Sequence, residues 1–240
     1  MKKTILLIAV IFVMVGCQAA PTPTPVPATP PPTLTAIPPT LTPIPPSPTP
    51  QPTADLVLSE EFGNQSSWWC RKETGAVDMY CQDGELHMVS KGDSRWKGRD
   101  NYYRDFIMQV QARFIGDAGA YMLVFRAGSQ SNPPQYAFGV TSQGQFLLVK
   151  YVPTPGTDTG SWNFLIDPTE SSAIEKGEAT NTLQVVGQGS RITLYANDIE
   201  LAHTVDTSFS EGRVGLGAGQ GAYVAFDNLK IWVPLTTPAP

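Results

Sequence analysis

From residue 54 onward the chain predicts an all-β fold of two antiparallel sheets, and three observations support this. Short apolar runs alternate with polar positions past Asp55, Gly, Asn, Asp and Pro punctuate them, and no window sustains a helical period. Residues 54–240 are enough for one domain with a sizeable core.

The elements before that domain come first. Lys2 and Lys3 precede an apolar run from Ile5 to Val15, followed by Gly16 and Cys17, which is the order of a signal peptide over residues 1–16. The run is too short for a permanent span, which needs roughly 20 helical residues. Met14-Val15-Gly16-Cys17 resembles the bacterial lipobox, in which a diacylglyceryl group is attached to the cysteine and the chain is cut just before it. Met14 stands where leucine is usual. The resemblance implies a lipidated N-terminus at 17–20, an acyl anchor in the cell membrane, and a domain on the extracytoplasmic side. Cleavage after Ala19 or Ala20 instead gives a soluble secreted protein. Residues 21–53 are rich in Pro and Thr and carry neither glycine nor charge, so they predict a semi-rigid polyproline II stalk. At about 3.1 Å per residue its reach approaches ~100 Å.

The acidic residues all lie in the domain and two of the basic ones do not, so its formal charge is 14 − 21 = −7. That balance argues against a nucleic-acid or anionic-membrane surface. Lys91, Arg95, Lys97, Arg99 and Arg104 gather in one stretch, but Asp93, Asp100 and Asp105 interleave with them, which predicts a solvated loop. If Cys17 carries lipid, Cys70 and Cys81 remain as a pair in an oxidising compartment, and a disulfide is expected. Neither His87 nor His203 sits at a ligand-like spacing from them, which argues against a sulfur-held metal.

Within the domain, Phe106 to Phe114 alternates strictly, whereas Tyr121 to Arg126 and Phe146 to Val152 are apolar on both faces, as central strands are. Leu183–Val186, Arg191–Ala196 and Ile199–Val205 follow, joined by Gly187-Gln188-Gly189-Ser190 and by Ala196-Asn197-Asp198. In the last strand, Ala222 to Val233, Val224 and Phe226 share one parity and Leu229 and Ile231 the other. One face holds all four only if a bulge near Asp227-Asn228 slips the register. Residues 234–240 read as a disordered tail.

The segments Thr182–Val186, Ile192–Asn197, Phe209–Leu216 and Val224–Ile231 resemble the concanavalin A-like lectin/glucanase superfamily, closest to its non-catalytic and keto-disaccharide-hydrolase-like branches. The resemblance runs from about Leu56 to Val233. It implies a jelly-roll sandwich, with Leu58-Ser59-Glu60-Glu61-Phe62 as an edge strand beside the last one. It also implies a structural calcium between first and last strands, for which Glu60, Glu61, Asp227 and Asn228 supply the oxygen-bearing side chains.

The laminarinase-type branch takes its catalytic carboxylates from two glutamates bracketing an aspartate at alternate positions of one strand, and this sequence has no such triplet. Glu60 and Glu61 are adjacent and face opposite ways, while Asp78, Asp83 and Glu85 lie around the cysteine loop. Sugar faces pack on flat aromatic rings while a few fixed polar groups read the hydroxyls. The candidates are Trp68, Trp69, Tyr151, Tyr136 and Arg126, with Trp96, Tyr102, Tyr103 and Trp162 favoured because their neighbours are polar and loop-like. Arg126 is expected on the concave sheet, where its fork suits a carboxylate or vicinal hydroxyls.

The reading is a surface lipoprotein whose sandwich binds a carbohydrate or other envelope polymer without catalysis. An interaction lipoprotein without a small ligand and a glycoside or keto-disaccharide hydrolase are the alternatives. An open aromatic groove favours the first, a groove filled by its own side chains the second, and two inward-facing carboxylates the third.

Overall fold

The computed structural model describes residues 54–235 apart from Asp93 and Asp117. The signal segment, Cys17, the stalk and residues 236–240 lie outside the described residues. Among the described residues no helix is long and apolar enough to cross a membrane.

Fourteen strands occur among the described residues. They are β1 (Ala54–Glu60), β2 (Val77–Gln82), β3 (Glu85–Ser90), β4 (Arg95–Gly98), β5 (Phe106–Phe114), β6 (Ala120–Ala127) and β7 (Gln135–Thr141). There follow β8 (Gln145–Pro153), β9 (Gly160–Glu170), β10 (Asn181–Gln188), β11 (Arg191–Ala196), β12 (Ile199–Val205), β13 (Arg213–Ala218) and β14 (Tyr223–Pro234). One sheet runs β12-β11-β10-β5-β14-β3-β2, with β1 also on β14, and the other runs β4-β13-β6-β7-β8-β9. The pairings are antiparallel, and the fold is the two-sheet sandwich that the residues predict.

Alternation places Phe114, Phe226 and Leu194 of one sheet against Tyr121, Phe125 and Tyr136 of the other, all fully buried. Phe114 stacks on Tyr121 at 4.5 Å, and Phe125 on Tyr136 at 5.3 Å. The expected bulge is present. The register of β14 against β5 shifts between Asp227 and Lys230, Asn228 adopts φ 52°, and Val224, Phe226, Leu229 and Ile231 are all at most 1% exposed. β1 pairs with β14 from Ala54↔Pro234 to Glu60↔Leu229, so β14 runs through Pro234 where a tail was expected. Asn197 and Asp198, at φ 50° and 66°, close the β11–β12 hairpin as a two-residue turn.

Cys70 and Cys81 form the expected disulfide. Both cysteines belong to the core, as does Trp69, which is 1% exposed and edge-on to Phe62 at 6.1 Å. The basic stretch is solvated at Lys91, Arg95, Arg99 and Arg104, as its charges suggest, but not at Lys97. Residues 95–98 are strand β4, and Lys97 is 4% exposed, its ammonium donating to Arg71 O at 2.9 Å and paired with Glu73 at 2.8 Å.

Candidate functional site

The six-stranded sheet buries one face in the core and turns the other outward, and the outward residues are unusually apolar. Rows run straight across the strands. Gly215 of β13 aligns with Val124 of β6, Ala137 of β7, Val149 of β8 and Phe164 of β9. One pair further along, Trp96 of β4 aligns with Gly217, Met122, Gly139 and Leu147. Glycine and alanine hollow out the middle of each row, and large rings stand at the two edges of the sheet.

Glycine also seats one of those rings. A Cβ on Gly215 would lie 2.5 Å from the Trp96 ring, and one on Gly98 would lie 2.4 Å from it, so the indole rests directly on bare backbone. The guanidinium of Arg213 lies 5.3 Å from the same ring. On the opposite edge, Trp162 and Phe164 project from β9 and are 51% and 55% exposed. Trp162 leans on Tyr151 at 4.9 Å, and Asn132 donates to the Tyr151 hydroxyl at 2.8 Å.

Between these walls lie two adjoining spaces. An apolar trough of about 310 Å³ is lined by Trp96, Met122, Val124, Leu147, Trp162 and Phe164 among others. A larger, more polar cavity of about 1040 Å³ shares Trp96 and Trp162 and adds Ser129, Gln130, Asn132 and Asp158. Gln135, 6% exposed, lines both, and its Oε1 is buried without a hydrogen-bond partner. Such an acceptor is costly to leave unmade, so a ligand donor is the natural complement.

Of the favoured aromatics, Trp96 and Trp162 come together here. Tyr102 is 50% exposed but lines neither space, and Tyr103 joins Gly212 through a backbone bridge away from the groove. Arg126 and Tyr136 are not ligand residues. Arg126 is 1% exposed, and its guanidinium donates to the carbonyls of Phe209, Arg104 and Gly189 at 3.2, 3.0 and 2.6 Å. A φ of 49° at Arg126 breaks the strand alternation that placed it on the open face. The Tyr136 ring is core, and its hydroxyl donates to Asp206 at 2.6 Å, with burial and that carboxylate pushing its pKa up to about 12. Gln135 and Phe164 escaped the sequence reading. The alternation of Trp162 and Phe164 was the available signal for β9, and nothing local marks Gln135.

The resemblance implies a calcium on Glu60, Glu61, Asp227 and Asn228. Among the described residues no group of three or more His, Cys, Asp or Glu is arranged to hold a metal ion. Glu60 Oε1 accepts from the Phe62 amide at 3.1 Å, and the Asp227 carboxylate accepts from Asn228 N and Nδ2 at 2.7 and 3.1 Å. Burial, opposed by the Asn228 bond and helped by Glu85 and Glu61, raises the Asp227 pKa.

A family described as 3-keto-alpha-glucoside-1,2-lyase-like domain matches residues 58–232. No curated protein matches the chain. Among solved structures it is similar to the kappa-carrageenase of Pseudoalteromonas carrageenovora in complex with a kappa-carrageenan oligotetrasaccharide. That match has TM-score 0.57 and 10% identity, and covers 80% of this chain and 99% of that one. A galectin-like protein of unknown function from Bacillus subtilis gives TM-score 0.55 and 12% identity, covering 76% and 98%. The GlcNAcα1-4Gal-releasing endo-β-galactosidase of Clostridium perfringens also gives 0.55 and 12%, covering 76% of this chain and 63% of that one. These likenesses are of fold.

Proposed function

Given that the chain belongs to the 3-keto-alpha-glucoside-1,2-lyase-like domain family, we propose that it is a lipid-anchored, extracytoplasmic module that binds a glycan on the outward face of its six-stranded sheet without catalysis. The carrying observation is the trough itself, an open apolar channel walled by Trp96 on one edge and by Trp162 and Phe164 on the other. Flat rings on both sides match the C–H faces of pyranoses, and the polar cavity beside them offers amides and hydroxyls to the ring substituents. Trp96, Met122 and Leu147 pack over the buried Val124, Ala137 and Val149, but the channel between Trp96 and Trp162 stays open, which disfavours a purely structural role. A carrageenase and a galactosidase use the same architecture, so a saccharide on this fold is chemically reasonable.

Catalysis has a weaker basis. Among the described residues no Asp, Glu or His lines the trough, and of the two described carboxylates on the larger cavity Glu73 is bound in its pair with Lys97, which leaves Asp158. A hydrolase needs two carboxylates free to act on one bond. The membrane part of the proposal rests on Cys17 and the residues before it. A glycan array followed by calorimetry tests the binding part. Trp162→Ala is expected to weaken any hit roughly five- to tenfold, one stacked ring being worth about 1 kcal/mol or somewhat more. Silence across the array, or turnover of a bound glycan into shorter products, would overturn the reading.

A further inference from the structure

We infer that the groove selects uncharged, hydroxyl-rich glycans over sulfated or carboxylated ones, and that Gln135 reads a hydroxyl donor of the ligand; this rests on the glycan-binding reading above. The first argument is the bonding type that Gln135 leaves open. Its buried Oε1 can only accept, and lies where trough and cavity meet. A sugar hydroxyl or an N-acetyl N–H can satisfy it, whereas a sulfate ester or an ionised carboxylate brings only further acceptors.

The second argument is the state of the cations around the cavity. Lys97 is held by Glu73 at 2.8 Å and by the Arg71 carbonyl at 2.9 Å. Arg213 donates to the Gly128 carbonyl and pairs with Asp100 at 3.2 Å, and Arg95 donates to the Ser94 carbonyl at 3.3 Å. Each positive group on the lining therefore already has an oxygen partner with which an anionic ligand would compete. On the lining itself Glu73 and Asp158 face Arg95, Lys97 and Arg213, so neither sign dominates there, while the domain as a whole carries −7, which disfavours the approach of a polyanion. Beside the rings the lining also offers a neutral set, Ser129, Gln130, Asn132 and Gln135.

The test is a panel of paired polysaccharides sharing a backbone, measured with the intact purified protein at low ionic strength. Laminarin, dextran, agarose and hydroxyethyl cellulose are set against sulfated laminarin, dextran sulfate, kappa-carrageenan and carboxymethyl cellulose. Binding confined to neutral members, changing less than about twofold between about 50 and 500 mM salt, is the expected result. Equal or tighter binding of the anionic partners overturns the selectivity but leaves the glycan site standing, while no binding by any member removes both. Gln135→Leu is expected to weaken the neutral hit about tenfold or more while the melting temperature holds or rises, because the buried acceptor goes with its cost. Unchanged affinity in that variant overturns the role of Gln135.

Discussion

Trp96 and Trp162 face one groove, but their surroundings differ, and their substitutions should therefore differ. Trp162 is half exposed and touches mainly Tyr151, so Trp162→Ala should leave the melting temperature within about 2 °C while binding falls. Trp96 lies on Gly98 and Gly215 under Arg213, and Trp96→Ala should cost about 1–3 kcal/mol of stability as well as affinity, which chemical denaturation will separate. Its flanking Ser94, Arg95 and Lys97 read as a loop because their polar side chains, which line the same space, mask a strand of four residues. Asp206 illustrates what no local pattern shows. Burial raises its pKa, but bonds from Lys150, Tyr136 and Ser208 outweigh this and hold it well below the usual carboxylate range. With the folded value depressed, its contribution is complete above the unfolded pKa of about 4 and is lost as pH falls through the folded one. Asp206→Asn should lower stability at pH 7 by about 2 kcal/mol and flatten the acid limb of a stability–pH curve; a parallel offset at every pH would refute the linkage.

Strands that bury one clean face were legible, and strands that wall the groove were not. β5, β10, β11 and β14 follow the parity of their apolar residues, and the change of parity after Phe226 marks the bulge. β4 has four residues and a single partner strand, and β9 exposes most of its eleven, so neither carries the buried alternation that marks a strand. The bulge itself can be tested as a register device. Deleting Asn228 would turn Leu229 and Ile231 to the opposite face and should unfold the domain, whereas Asn228→Gly, which keeps the positive φ, should change stability by less than about 1 kcal/mol. Circular dichroism melts of the two variants are the comparison, and a folded deletion variant would contradict the register argument.

At the scale of the whole molecule, the sandwich was legible because two periodicities, alternation and punctuation, persist along the chain, while the groove was not, because it is assembled from six strands whose small residues carry no chemical label. Anchorage belongs to this scale too. Cys17→Ser is expected to leave the protein unacylated and in the soluble fraction, and incorporation of labelled palmitate into the variant would refute lipid attachment at that thiol. Replacing Cys70 and Cys81 together by Ala should cost about 2–3 kcal/mol, read from denaturant midpoints. The location of that cross-link reaches beyond stability. The Arg71 carbonyl and Glu73, which hold Lys97 and through it β4, follow directly after Cys70. Protein folded in a reducing cytosol should therefore keep its central strands protected from amide hydrogen exchange while the amides of β4 exchange early, and a protease would find residues 71–80 before any other part of the domain.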